Sequence, residues 1–145
     1  MLVVIDTNVL YQSLKSSSGA SHYILRLLRE QKITIALSMA VFNEYEDVLS
    51  RPEKMKDIDL SKNDIEKVLR FISYIGKPFV TYYLFRPNLK DEKDNIFVEL
   101  AITSNAKYLI TSNIKDYKNS DLTFDDLLVI TPGDFIKMWR KKHED

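Results

Sequence analysis

Leu2-Val3-Val4-Ile5-Asp6-Thr7-Asn8 decides the reading of this chain: an uninterrupted apolar run, then at once an acid and two polar residues. Continuous rather than alternating apolarity is what a strand buried on both faces requires. Asp6 then stands at the carboxyl end of that strand. Further along, Ile33 to Leu37, Tyr108 to Thr111 and Leu127 to Ile130 read as strands of the same buried kind.

Between these runs the apolar residues take helical spacing. A helix is predicted over Ala20 to Gln31, with Ile24, Leu25, Leu27 and Leu28 on its apolar side. Ser38 caps a helix running to about Leu49, and Arg51-Pro52 ends it. Ser61 starts another, carrying Ile65, Val68, Leu69 and Ile72 on one face, and Gly76 stops it. Phe79 to Phe85 is aromatic and β-branched, as in a strand or an extended connection. A helix follows from about Glu92 to Asn105, and Pro132 opens a C-terminal one. Alternating strands and helices imply an α/β fold: a mainly parallel sheet, helices on both faces and right-handed crossovers. Ligand sites in such sheets lie beyond the carboxyl ends of the strands.

With 145 residues, 45% of them apolar and 29% charged, the chain fits one globular domain over residues 1–145. The absence of cysteine excludes disulfides, thiolate metal sites and a cysteine nucleophile, and is compatible with a reducing cytoplasm. The N-terminus lacks a basic region and meets an acid after four apolar residues, so it is not a signal peptide. No stretch is long enough to span a membrane; a cytoplasmic protein is expected. The net charge is zero, so a polyanion must be drawn by local charge or by bound metal. Lys137, Arg140, Lys141 and Lys142 are the dense basic stretch, read as the solvated face of the last helix. Gly19, Gly76 and Gly133 are the only glycines, too few for a P-loop or a dinucleotide fingerprint. No serine sits in a nucleophile elbow, and His22 and His143 are isolated surface candidates, which argues against a Ser–His–Asp triad.

What remains is carboxylates. Asp6 follows the first strand, and Asn113 and Asp116 follow the strand at Tyr108. Glu44 is three residues after Val41 and four before Val48, which puts it on its helix's apolar stripe. Asp94 precedes Phe97 by three, Val98 by four and Ala101 by seven, in a first helical turn where the dipole favours an anion. Each acid has a plain structural explanation. Asp6 can cap the turn at Thr7, Asp91 and Asp94 can form a capping pair, Glu44 can lean out to solvent, and Asp116 can belong to a polar turn. Together they converge on one edge with no evident internal cation, and converging carboxylates call for one. An all-oxygen set suits Mg²⁺ or Mn²⁺ better than zinc.

Val3-Val4-Ile5-Asp6-Thr7-Asn8, then Glu44, then Asp91-Glu92-Lys93-Asp94 before Ala101, then Leu109-Ile110-Thr111-Ser112-Asn113 with Asp116-Tyr117, resemble the PIN-domain family over nearly the whole chain. More narrowly, the chain resembles toxin components of prokaryotic toxin–antitoxin pairs. The resemblance implies a three-layer α/β/α fold and a divalent-metal ribonuclease. It assigns the main acids to Asp6, Glu44 and Asp94, and a further, variable acid to Asp116. Asn113 stands where many members carry Asp, which lowers the site's negative charge. Thr7, Asn8 and Thr111 match polar residues that steady the acids, and Asp91 matches an acid before the third carboxylate. In this reading Asp6, Glu44 and Asp94 hold one Mg²⁺ or Mn²⁺, and Asp94, Asp116 and Asn113 hold or orient a second. The partners implied are single-stranded RNA as substrate, an antitoxin protein and a second copy in a homodimer.

The aromatic and basic group Tyr82, Tyr83, Phe85 and Arg86 could stack on unpaired bases, but reads first as core. A phosphotransfer domain with Asp6 as nucleophile generally wants a second acid at the position of Asn8. A receiver domain would need an acid pair after the first strand, which is lacking. A degenerate nuclease fold kept for binding a protein or RNA is the main competitor; Asn113 leans towards it, and the four intact acids lean away.

Overall fold

The structure, a computed structural model, describes residues 1–81, 92–117 and 127–143; at 92–94 it describes the backbone alone. In chain order the elements are β1 (Leu2–Ile5), α1 (Thr7–Lys15), α2 (Ala20–Arg29), β2 (Thr34–Leu37), α3 (Met39–Leu49), α4 (Pro52–Asp57) and α5 (Lys62–Ile75). There follow β3 (Lys77–Pro78), α6 (Glu92–Ser104), β4 (Tyr108–Ile110), a 3₁₀ turn (Ile114–Tyr117), β5 (Leu128–Ile130) and α7 (Pro132–His143). Among the described residues the sheet runs β3-β2-β1-β4-β5, and every pairing is parallel. Helices cover both faces, giving three α/β/α layers: α6 lies against β1, β2 and β4, while α2 packs on α1 and α7.

The central strands are dry, as their composition demands. Val3, Val4, Ile35, Ala36, Leu109 and Ile110 are fully buried. Burying each large aliphatic side chain contributes about 1.5–3 kcal/mol, so the three inner strands, β2, β1 and β4, anchor the molecule. Ser38 accepts from the Val41 amide. Ser61 and Asp64 form a reciprocal capping box at the start of α5. No helix among the described residues is long and apolar enough to cross a membrane.

Two points of the sequence reading need completing. The first is α1, which the strand-then-turn reading at Thr7 left out. Its apolar positions Val9, Leu10 and Tyr11 are consecutive and all buried, so no clean stripe marks it. The second is the stretch Phe79 to Phe85, read as a strand or an extended connection, of which only 79–81 lie among the described residues and carry no strand. Among the described residues regular pairing covers Lys77–Pro78, and the Phe79 amide adds one bond to the Leu37 carbonyl at 2.8 Å. Proline cannot donate to a ladder, which suits this edge position. Tyr82, Tyr83, Phe85 and Arg86 lie outside the described residues. Gly76 ends α5 as expected, with φ −76°.

Gly76 is required for room. A Cβ there would lie 2.8 Å from Leu37 Cγ and 2.9 Å from the Ile72 carbonyl oxygen. The absence of a side chain lets α5 close onto β2. Gly76→Ala should therefore destabilise the fold by about 1–3 kcal/mol through overpacking, read as a lower midpoint in urea or heat. An unchanged midpoint would show that Leu37 can move aside.

Candidate functional site

The register of β1 on β4 pairs Ile5 with Ile110. The next residue of each strand, Asp6 and Thr111, therefore emerges side by side at the carboxyl edge. The Asp6 amide donates to the Ile110 carbonyl at 2.9 Å, and the Thr111 amide donates to the Ile130 carbonyl at 2.9 Å. The parallel ladder thus continues one residue beyond both strands.

Asp6 is only 6% exposed. It occupies the N-cap position of α1, yet its side chain makes no capping bond there, its one backbone donor from that helix being the adjoining Thr7. Its carbonyl does that work, accepting from the Val9 and Leu10 amides. The carboxylate turns instead to the strand edge, where Oδ2 accepts from Thr111 Oγ1 at 2.8 Å, Tyr117 Oη at 2.9 Å and, weakly, Asn8 Nδ2 at 3.5 Å. Simple capping does not explain Asp6.

The bonds continue outward. Thr111 Oγ1 accepts from the Asn113 amide at 3.1 Å, and the Asn113 carbonyl accepts from the Asp116 amide at 3.0 Å. Asn8 Oδ1 accepts from the Ser112 amide at 3.2 Å, so Asn8 bridges the ends of β1 and β4. Thr111 and Asn8 steady Asp6 directly. The Thr7 hydroxyl is buried with no hydrogen-bond partner among the described residues; the bond Thr7 gives to Asp6 is through its backbone.

Burial pushes the Asp6 carboxyl above the ordinary carboxylate range. The hydroxyls of Thr111 and Tyr117 and the Thr7 backbone pull it down, and the charge of Asp116 pushes it up again. Asp6 and Asp116 are thus brought within each other's field. None of the ion pairs among the described residues involves either of them.

Glu44 is half-buried on the flank of α3. It bears electrostatically on the half-buried Arg51. Its neighbour Tyr45 is fully buried and donates to the Ile5 carbonyl at 2.5 Å. That bond pins α3 to the residue before Asp6. Asp94 lies in the first turn of α6, its side chain outside the described residues, and Asp91 lies outside them altogether. Among the described residues no three acidic or histidine side chains form a group able to hold a metal ion. The donor chemistry nonetheless fits a hard cation, since Asp6 and Asp116 offer oxygen only and lack a cationic counterpart in those ion pairs. His22 Nδ1 lies 3.3 Å from the Ser13 carbonyl and His143 stacks on Trp139; both are remote from this edge.

Tyr117, Tyr45, Asn95 and Glu99 escaped the sequence reading. Asn95 and Glu99 lie one turn apart on α6, at 5% and 6% exposure. Their signal was the lack of an apolar stripe on α6: a helix buried nearly all round shows no clean face. Tyr45 reads as part of its helix's apolar stripe and Tyr117 only as the neighbour of Asp116; their hydroxyls reveal a further task.

A family profile described as the PIN domain matches residues 2–115. An uncharacterized protein of Methanocaldococcus jannaschii is 30% identical, over 96% of this chain and 92% of its own length. The crystal structure of VapBC2 from Rickettsia felis, bound to a DNA fragment from their promoter, matches with a TM-score of 0.57. The match covers 90% of this chain and 98% of that one at 19% identity, a likeness of fold.

Two outcomes follow from the bonding of this edge. An acid whose pKa is raised by folding favours the folded state when protonated; its ionisation costs stability as pH rises through and above its unfolded value. In EDTA, Asp6→Asn should therefore melt higher than the parent at pH 7, with the gap narrowing as pH falls towards about 4 and gone below it. A lower melting point at pH 7 would mean that the carboxylate's hydrogen bonds outweigh its burial. Tyr45→Phe leaves the Ile5 carbonyl without its donor and should cost about 1–3 kcal/mol, measured by chemical denaturation.

Proposed function

This chain belongs to the PIN domain family, and we propose that it is a divalent-metal-dependent endoribonuclease, the toxin of a toxin–antitoxin pair. One observation carries the reading. A buried carboxylate, Asp6, is held at the sheet's carboxyl edge by directed donors, in the field of a second acid and with no cation among the ion pairs there. Keeping a buried charge in that state is costly unless something positive binds.

In this proposal Asp6, Glu44 and Asp94 hold one Mg²⁺ or Mn²⁺, and Asp116, with Asn113 and Asp94, holds or orients a second. Such an ion, when bound, neutralises the carboxylates, binds a phosphate oxygen and lowers the pKa of water. The chain's own residues prepare the place. Thr111 and Asn8 fix the Asp6 carboxylate, Tyr45 fixes α3 and so Glu44, and the 3₁₀ turn presents Asp116. Asp91 supports Asp94 from the preceding segment. Single-stranded RNA is the substrate class, in a cytoplasmic setting. An antitoxin partner is supported by the neighbour from Rickettsia felis, which is itself the VapBC2 complex; a homodimer completes the assembly.

A second reading, a protein- or RNA-binding module on a degenerate site, is favoured by Asn113, a neutral amide at the same edge. One experiment separates the two. The purified protein is incubated with a mixed single-stranded RNA pool in Mn²⁺ or in EDTA, beside Asp6→Asn. Cleavage should require metal. It should also fall by more than the roughly 10- to 100-fold that loss of an outer supporting group produces. An RNA pool left intact by the parent protein, together with no Mn²⁺ binding by calorimetry, would select the binding module.

A further inference from the structure

We infer that Tyr117 is a positioning residue for this centre: its hydroxyl ties the turn carrying Asp116 to the carboxylate of Asp6. The inference rests on the proposed role of Asp6 and Asp116 and adds what sets the spacing between them.

The geometry is that of a loop closed at both ends on one atom. Thr111 begins the segment that leaves β4, and Tyr117 ends the 3₁₀ turn. Both hydroxyls donate to Asp6 Oδ2, at 2.8 Å and 2.9 Å. Asn113 and Asp116 lie between the two tethers. Asn113 is set by its amide bond to Thr111 Oγ1, and Asp116 by its amide bond to the Asn113 carbonyl. The backbone of Asp116 therefore cannot draw away from Asp6 without straining one of the two bonds to Oδ2.

Such a restraint is needed because the two carboxylates repel. Without a tether, a four-residue 3₁₀ turn has little internal bonding to resist that push. Tyr117 is 7% exposed, so its ring fills core space while its hydroxyl reaches the site. Phenylalanine would keep the packing and lose the tether. A purely structural tyrosine would be indifferent to what binds at the carboxylates, whereas a positioning one would not.

The experiment is Mn²⁺ calorimetry on the full chain, comparing the parent, Asp6→Asn, Tyr117→Phe and Tyr11→Phe, with melting points taken alongside. Tyr11 bonds Asp57 in the contact of α1 with α4, away from this edge, so its Phe variant controls for loss of a structural phenol. The expected result is binding by the parent, none by Asp6→Asn, parental affinity in Tyr11→Phe, and a dissociation constant about 10- to 100-fold weaker in Tyr117→Phe. Parental affinity in Tyr117→Phe overturns the inference while leaving the metal site standing. No Mn²⁺ binding by the parent overturns the metal reading, and the inference with it. Should Tyr117→Phe not fold, Thr111→Val removes the other tether at constant shape, and parental affinity there counts against the inference in the same way.

Discussion

The parallel pairing of β1 with β4 is the constraint on which the rest depends. Because Ile5 stands opposite Ile110, the residues that follow leave the sheet together, and residues 105 positions apart in sequence become hydrogen-bonded neighbours. A slip of one residue would turn every side chain of β1 to the other face. Both faces of this strand are buried, so apolar patterning alone would tolerate such a slip. The edge supplies specificity: the Asp6 amide on the Ile110 carbonyl, Thr111 on Asp6, and Asn8 on the Ser112 amide all require this one register.

That arrangement holds a destabilising group in place. Burial raises the cost of charge on Asp6, and Asp116 adds to it, while the hydroxyls of Thr111 and Tyr117 and the Thr7 backbone reduce it. A core optimised for stability would place an apolar residue here. The fold tolerates the acid because Val3, Val4, Leu109 and Ile110 beneath it are fully packed. The stable sheet supports a less stable edge, the division of labour expected where a site is built at strand ends.

Much of this was legible in the sequence because buried parallel strands are continuous apolar runs and helix starts carry side-chain caps. Leu2–Ile5, Ser38, Ser61 and Pro132 each announced an element by local chemistry. What was not legible arose from contacts distant in sequence. Nothing near Tyr117 indicates that its hydroxyl meets Asp6, and nothing in Val41-Phe42-Asn43-Glu44-Tyr45 indicates that Tyr45 bonds the Ile5 carbonyl. Helix α1 was hidden because Val9, Leu10 and Tyr11 are buried as a block. Glu44 was placed on the apolar stripe by spacing, yet it sits on the flank, where Arg51 shares its field, since a stripe defined by Val41 and Tyr45 is narrower than spacing alone implies.

The neutral net charge acquires meaning at this edge. A molecule with 21 cationic and 21 acidic residues exerts no long-range pull on a polyanion, and an edge that gathers Asp6 and Asp116 repels one locally. On the proposed reading, a phosphate can approach only when the sign of the edge has been reversed. Cation and substrate then favour each other's binding through one shared field, and the coupling is reciprocal by linkage. The strength of that coupling depends on how closely the acids are held. Acids free to spread would relieve their repulsion by moving apart and would need the cation less. Acids tethered together cannot, so on the proposed reading the hydrogen bonds that close residues 111–117 onto Asp6 Oδ2 would turn electrostatic strain into a preference for positive charge.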